Sequence, residues 1–284
     1  MADLPNTQLN QNQVPNNQPN KKEEIKEFEE EVVPNATNIK AQETFTLPSK
    51  GLVYASGNPK TITLRRMTIR EDKIRLKSEG ESKIRRDILQ ACTLDKDVDI
   101  GQLTLFDSNY LLFCLRRISL LNNTYKVSLT CPYCDTEFVD EIDLSKLKIK
   151  YATPETMPNM DIVLPVSKAK IRLKFPTLTS TSLFYENLGE YMKSNSDEEL
   201  SELLYTYADI LYIEAINGNR VIFEELEDFI NNLDILDIRF LKEEVRKLDG
   251  VFGIDEDILC KCPQCKRDIH HGLPITNELF SPTK

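Results

Sequence analysis

The sequence predicts an α+β fold made of two similar halves. Each half runs from strands through helices to a Cys-Pro-x-Cys β-hairpin, and the two hairpins join through one zinc-ribbon-like site. Three observations carry this expectation. Cys131-Pro-Tyr-Cys134 recurs as Cys262-Pro-Gln-Cys265. At a constant offset of 109, Ile62, Leu64, Arg65, Thr68 and Ile69 match Ile171, Leu173, Lys174, Thr177 and Leu178. Hydropathy alternates with a period of two around the first cysteine pair and follows helical spacing over long stretches elsewhere. A duplication explains the match, and so does a coincidence of common pattern elements.

Residues 1–43 read as a disordered tail, because thirteen of the first twenty residues are Asn, Gln or Pro. Such a composition buries too little apolar surface to offset the entropy of ordering. The acidic run Glu23 to Glu31 suits a transient helix, and the tail serves as nothing, a linker or a tether that orders on a partner. The first half, 44–150, opens with a turn at Leu47-Pro48-Ser49-Lys50-Gly51 and a half-buried strand at Ile62 and Leu64. Thr68 and Glu71 then make a capping box. Further helices fit Ser82 to Leu94 and Asp107 to Leu121. Tyr110, Leu111, Cys114, Leu115 and Ile118 share one face of the second, which makes Cys114 a core residue, as Cys92 is too. Tyr125, Val127 and Leu129 alternate before the first cysteine pair, and Phe138, Ile142 and Leu144 after it.

The second half, 151–284, echoes this order. Leu164-Pro165 repeats Leu47-Pro48, and Ser196 with Glu199 forms another capping box. Leu200, Leu203, Leu204, Tyr207 and Leu211 make one apolar stripe, and Ile235, Ile238, Leu241, Val245 and Leu248 another, closed by Gly250. Ile258 and Ile269 flank the second cysteine pair.

Four thiolates from two such turns satisfy a tetrahedral zinc ion and leave no open position, so Cys131, Cys134, Cys262 and Cys265 are the candidate ligands of one structural zinc. The 127 residues between the pairs (135–261) make the site a clip between distant parts of the chain. Two rival arrangements use Cys260, either in place of a neighbour or with Cys262, Cys265 and His270 as a separate site. A redox role for the pairs lacks the βαβ pattern it needs.

Net charge is 36 − 46 = −10, which counts against a protein devoted to gripping phosphate. The balance is uneven: Lys60 to Arg86 holds ten basic against four acidic residues, while Glu186 to Glu244 holds four against sixteen. This asymmetry fits internal complementarity, partner contact or solvated helix faces. No Walker loop, dinucleotide glycine pattern, Gly-x-Ser-x-Gly or His-Glu-x-x-His is present, and the only histidines, His270 and His271, sit side by side, so no catalysis is expected. No apolar run approaches the roughly 18 residues of a membrane span. The N-terminal residues lack a basic start and an apolar stretch, which places the chain in cytoplasm.

Together these features resemble the T-even-type bacteriophage baseplate hub protein family, whose members are hub subunits or hub assembly proteins. The resemblance rests on Phe45-Thr-Leu-Pro-Ser-Lys-Gly51, Ile62-Thr-Leu-Arg-Arg-Met-Thr68 and Val127-Ser-Leu-Thr-Cys-Pro-Tyr-Cys134. It continues through Cys262-Pro-Gln-Cys265, Leu273-Pro274 and Asn277-Glu-Leu-Phe280, covering residues 45–280. Asp135 and Lys266 stand where a glycine often follows a zinc knuckle. The resemblance implies a non-enzymatic protein of the contractile-tail baseplate, assembled with other phage baseplate, hub or tail proteins in the host cytoplasm. It leaves open whether the protein stays in the virion. Arg65, Arg66, Arg70 and Arg75 are the candidate partner contact. The competing expectation is a zinc-ribbon nucleic-acid-binding or transcription regulatory protein using that basic stretch.

Overall fold

The computed structural model describes residues 42–54, 59–76, 80–120, 123–192, 208–275 and 277–280. Residues 1–41 of the expected tail 1–43, and the capping box and the stripe as far as residue 207, lie outside the described residues, whereas Gln42 and Glu43 belong to a paired strand and not to a tail. Strand β1 (Gln42–Thr46) pairs antiparallel with β2 (Thr61–Arg65), Phe45 facing Ile62 and Glu43 facing Leu64. The alternation turns Phe45, Ile62 and Leu64 into a core. Between the strands, Lys50 and Gly51 take left-handed conformations at φ 50 and 76. This reversal turns backbone donors inward, and a buried carboxylate receives one of them: Asp107 accepts the Ser49 N–H at 2.9 Å and the Tyr54 hydroxyl at 2.6 Å.

The expected capping box opens helix α1 (Ile69–Arg75), with Glu71 Oε2 accepting from the Thr68 N–H and hydroxyl, each at 2.7 Å. Arg65 adds a hydrogen bond to Glu71 Oε1 at 2.8 Å. Burial pushes the Glu71 carboxyl up, but Arg65 and Thr68 outweigh it and hold the group at about 2, against an ordinary 4.5. A folded value below the unfolded one means that Glu71 stabilises the fold fully above the unfolded pKa, an effect lost as pH falls through the folded one. Glu71→Gln is therefore expected to flatten the acid limb of the stability curve. Urea denaturation of both proteins from about pH 2 to about pH 6 reads this directly, and parallel curves would discount the Arg65–Glu71 pair.

Helix α2 (Glu81–Cys92) buries Ile84, Ile88, Leu89 and Cys92 at spacings of three and four. Helix α3 (Leu105–Leu120) starts two residues earlier than its periodicity predicts and is buried on nearly every side. The reason is its position between two cores. Phe106 packs edge-on to Phe175 and Phe252 of the second core, while the 3-10 turn Asn277–Phe280 comes back to the first. Arg116 is fully buried there. Its guanidinium donates to the carbonyls of Leu279 and Thr124 and lies over the Tyr125 ring.

Strands β3 (Thr124–Thr130) and β4 (Glu137–Asp143) pair antiparallel around the first cysteine pair. After the short strand β5 (Ile149–Lys150), β6 (Asp161–Val163), β7 (Lys170–Leu173), β8 (Ile213–Ile216) and β9 (Asn219–Arg220) form a four-stranded antiparallel sheet. Ile162 faces Ile171 as Phe45 faces Ile62. The β6–β7 turn again carries a left-handed lysine, Lys168 at φ 59. It too is held by a fully buried carboxylate, Asp237, which accepts the N–H groups of Val166 and Ser167 at 2.7 and 2.8 Å.

Helix α4 (Leu178–Met192) begins after Thr177, the counterpart of Thr68 at the offset of 109. Helices α5 (Phe223–Asn231) and α6 (Ile235–Arg246) cover the second core, followed by a turn with Gly250 at φ 69. One stripe residue differs from expectation. Ile235 is exposed because Asp234 caps the helix at Leu236, leaving Ile235 in the first turn outside the packed face, which holds Leu241, Val245 and Leu248. Strand β10 (Gly253–Ile254) pairs with β5, and β11 (Asp257–Lys261) with β12 (Asp268–Gly272). Helices with small antiparallel sheets make the chain α+β, as predicted. Among the described residues no helix is long and apolar enough to cross a membrane.

Candidate metal centre

The two cysteine turns have one backbone design. In the first, the Cys131 N–H donates to the Thr136 carbonyl at 2.9 Å and the Asp135 N–H to the Cys131 carbonyl at 3.0 Å. In the second, Cys262 and Arg267, then Lys266 and Cys262, make the same bonds at 3.0 and 3.1 Å. The chain must reverse directly after the second cysteine, so Asp135 and Lys266 adopt φ of 54 and 62. Glycine takes this conformation without steric cost. The two substitutions noted in the sequence thus keep the knuckle geometry and carry its strain.

The turns meet reciprocally. Cys131 Sγ lies 3.7 Å from Cys265 Sγ, and Cys134 Sγ 3.7 Å from Cys262 Sγ. A tetrahedron with metal–sulfur bonds of about 2.3 Å has edges of about 3.8 Å. A disulfide needs about 2.05 Å, so these are four free thiols at the spacing of metal ligands. The variable residue of each Cys-Pro-x-Cys turn reaches the same position on the other hairpin. The Gln264 amide hydrogen-bonds the Thr136 side chain at 2.9 Å, and Arg267 lies over the Tyr133 ring at 4.8 Å. Cys131 and Cys262 are fully buried, with Cys134 and Cys265 nearer solvent.

The thiols differ in acidity. Hydrogen bonds from Thr136 hold Cys134 at about 6, below an ordinary 9.0. Although the Arg267 N–H favours the Cys265 thiolate, burial and the neighbouring sulfurs Cys262, Cys131 and Cys134 push that group up to about 11. Sulfurs this close cannot all ionise unaided, because like charges in one site oppose each other. A dication among them removes the conflict.

Cys260 lies outside the four-sulfur group, beside Asp140 and His271. His270, the other residue of the rival set, is exposed and bonds Asp257 at 3.0 Å. Of the four arginines, Arg65 is engaged with Glu71 and the Ala91 carbonyl, Arg66 with the Ile118 carbonyl and Arg75 with Asp72. Arg70 is exposed on α1 near Lys73 and the exposed Ile69. The structure therefore brings the cysteines together and engages three of the arginines, all half-buried, in hydrogen bonds within the chain. Asp107, Asp237 and Arg116 were hidden from sequence reading, since charged residues on helices look solvated until their distant partners are known.

The chain matches the family model described as T4 bacteriophage base plate protein over residues 39–281, a span that includes both cysteine turns and both carboxylate-held turns. It belongs to that family. Searches of curated proteins and of solved structures each returned no match. In this base plate protein the four-cysteine cluster joins the middle of the matched span to its C-terminal end, so it is a long-range tie within the family's own domain.

Proposed function

We propose that this base plate protein is a non-enzymatic component or assembly factor of the baseplate hub, clipped by one structural zinc ion on Cys131, Cys134, Cys262 and Cys265. The family match carries the reading. Zinc is the natural occupant of four thiolates at tetrahedral spacing, and four protein ligands leave no site for substrate. The protein acts in the host cytoplasm on other baseplate, hub or tail proteins and reaches the virion tail with them. The repeated turn, left-handed lysine, buried carboxylate and cysteine hairpin support two related halves that meet near residue 150, with an N-terminal tail ahead of β1. For partner contact, α1 offers Arg70 and Lys73 beside the exposed Ile69, a basic and apolar combination suited to an acidic protein surface. Nucleic-acid binding is disfavoured by the net charge of −10 and by the internal hydrogen bonds of Arg65, Arg66 and Arg75.

The test is quantitative mass spectrometry of this chain in purified particles and in infected-cell lysate. A fixed low copy number in particles identifies a hub component, and tail-protein complexes found only in lysate identify an assembly factor. Association with neither overturns the proposal.

A further inference from the structure

We infer a second metal site, formed by Asp140, Cys260 and His271 across the two cysteine hairpins, which takes a divalent transition-metal ion on three protein ligands. Its residues occupy the faces by which the hairpins meet. In β3–β4, Asp140 is two residues from Phe138 along the strand, and therefore shares its face. In β11–β12, Cys260 is paired with Ile269, and His271 is two residues further along the same face. Phe138 and Leu129 pack against the cluster of Cys260 and Ile269, so these are the inner faces of the hairpin pair. Asp140 and His271 thus stand where strand alternation calls for apolar residues.

The imidazole is the second, independent observation. The His271 side chain is nine-tenths buried, and its Nε2 has no hydrogen-bond partner. Its Nδ1 lies 3.1 Å from the Gly272 carbonyl, which can only accept, so Nδ1 carries a hydrogen and, in the neutral ring, Nε2 has the lone pair free for a metal. Nε2 lies 3.8 Å from Asp140 Oδ2, while Asp140 Oδ1 is engaged with the Glu141 N–H. Nε2, Asp140 Oδ2 and the Cys260 sulfur therefore sit together between a buried imidazole and a partly exposed carboxylate, all three within 4.8 Å of one another.

Metal-bound histidines characteristically donate their other ring N–H to a backbone carbonyl or carboxylate, as His271 does to Gly272. Metal–ligand bonds of about 2.0–2.3 Å give edges of about 3.3–3.8 Å, close to the existing Asp140–His271 separation. Sulfur, imidazole nitrogen and carboxylate oxygen together suit zinc or cobalt, in contrast to the all-oxygen sets of calcium and magnesium. Three protein ligands leave a fourth position for water or for a donor from a partner. The four-cysteine site has no such position.

Cobalt(II) titration of the full chain, prepared metal-free under reducing conditions, tests the site without reference to phage assembly. We expect two equivalents to bind: one with the intense charge-transfer absorption of four thiolates, and a second with the weaker absorption of a single thiolate. His271→Ala, Asp140→Asn and Cys260→Ser should each bind one equivalent, with the four-thiolate spectrum unchanged. That spectrum shows that the hairpins still meet, and Asp140→Asn, conservative in shape and partly exposed, serves if His271→Ala fails to fold. A single equivalent in the parent protein overturns the inference. Two equivalents retained in the three variants overturn it as well, because the second ion then sits elsewhere.

Discussion

Cys131→Ser combined with Cys134→Ser is expected to release the metal of the four-sulfur site and to lower Tm by about 10 °C or more. Two-stranded hairpins are marginal by themselves. These two share a small apolar cluster around Cys131, Cys260, Cys262 and Ile269, together with the Gln264–Thr136 hydrogen bond, the Arg267–Tyr133 stacking and the Asp140–His271 approach. The second hairpin also leads straight into Leu273, Ile275, Leu279 and Phe280, which fill the first core more than a hundred residues from that core's own strands. Freeing the hairpin therefore loosens the closing segment and the Leu279 carbonyl that receives buried Arg116. Metal analysis with thermal melts measures both effects, and a chelator should bring the parent protein down to the variant's Tm. Unchanged metal content and an unchanged Tm in the variant would remove the clip from the account of this fold.

The parts of the molecule legible in the sequence are those governed by neighbours in the chain. Thr68 and Glu71 announce a helix start because both partners lie within one turn, and Cys-x-x-Cys announces a ligand pair for the same reason. Strand alternation at Ile62, Leu64, Ile171 and Leu173 likewise survives in the structure as buried positions. What escaped reading depends on partners far along the chain. Asp107 and Asp237 look like solvated helix acids, yet each binds a turn more than fifty residues away. Arg65 looks like part of a basic surface, yet its guanidinium is shared between Glu71 and the Ala91 carbonyl. Between the adjacent histidines, composition favours neither. The register of β12 decides, turning His271 inward and His270 out to Asp257. The signal was present as strand period, since His271 is two residues from buried Ile269.

Asp107→Ala is expected to cost about 3 kcal/mol or more, since it leaves the buried Ser49 N–H and the Tyr54 hydroxyl without their acceptor, at about 1–3 kcal/mol each. Asparagine at 107 should be milder, because its amide oxygen still accepts from Ser49. The comparison with Asp237→Asn is the sharper one, as the two carboxylates hold corresponding turns but titrate in opposite directions. Burial pushes Asp107 above the ordinary 3.8, against the hydrogen bonds from Ser49 and Tyr54. Burial also opposes ionisation of Asp237, but two backbone N–H groups and the charge of Lys168 prevail and hold it below that value. The signs follow from proton linkage. The stability contributed by Asp107 is fully present below its unfolded pKa and lost as pH rises through its folded one, so Asp107→Asn should lose less relative to the parent as pH rises. The stability contributed by Asp237 is present above its unfolded pKa and lost as pH falls, so Asp237→Asn should lose more relative to the parent as pH rises. Urea denaturation of the three proteins across the acid range distinguishes these slopes. Parallel pH dependence of the two variants would mean that the carboxylates carry the same charge in the fold, and that backbone donors and a tyrosine hydroxyl are equivalent partners for a buried aspartate.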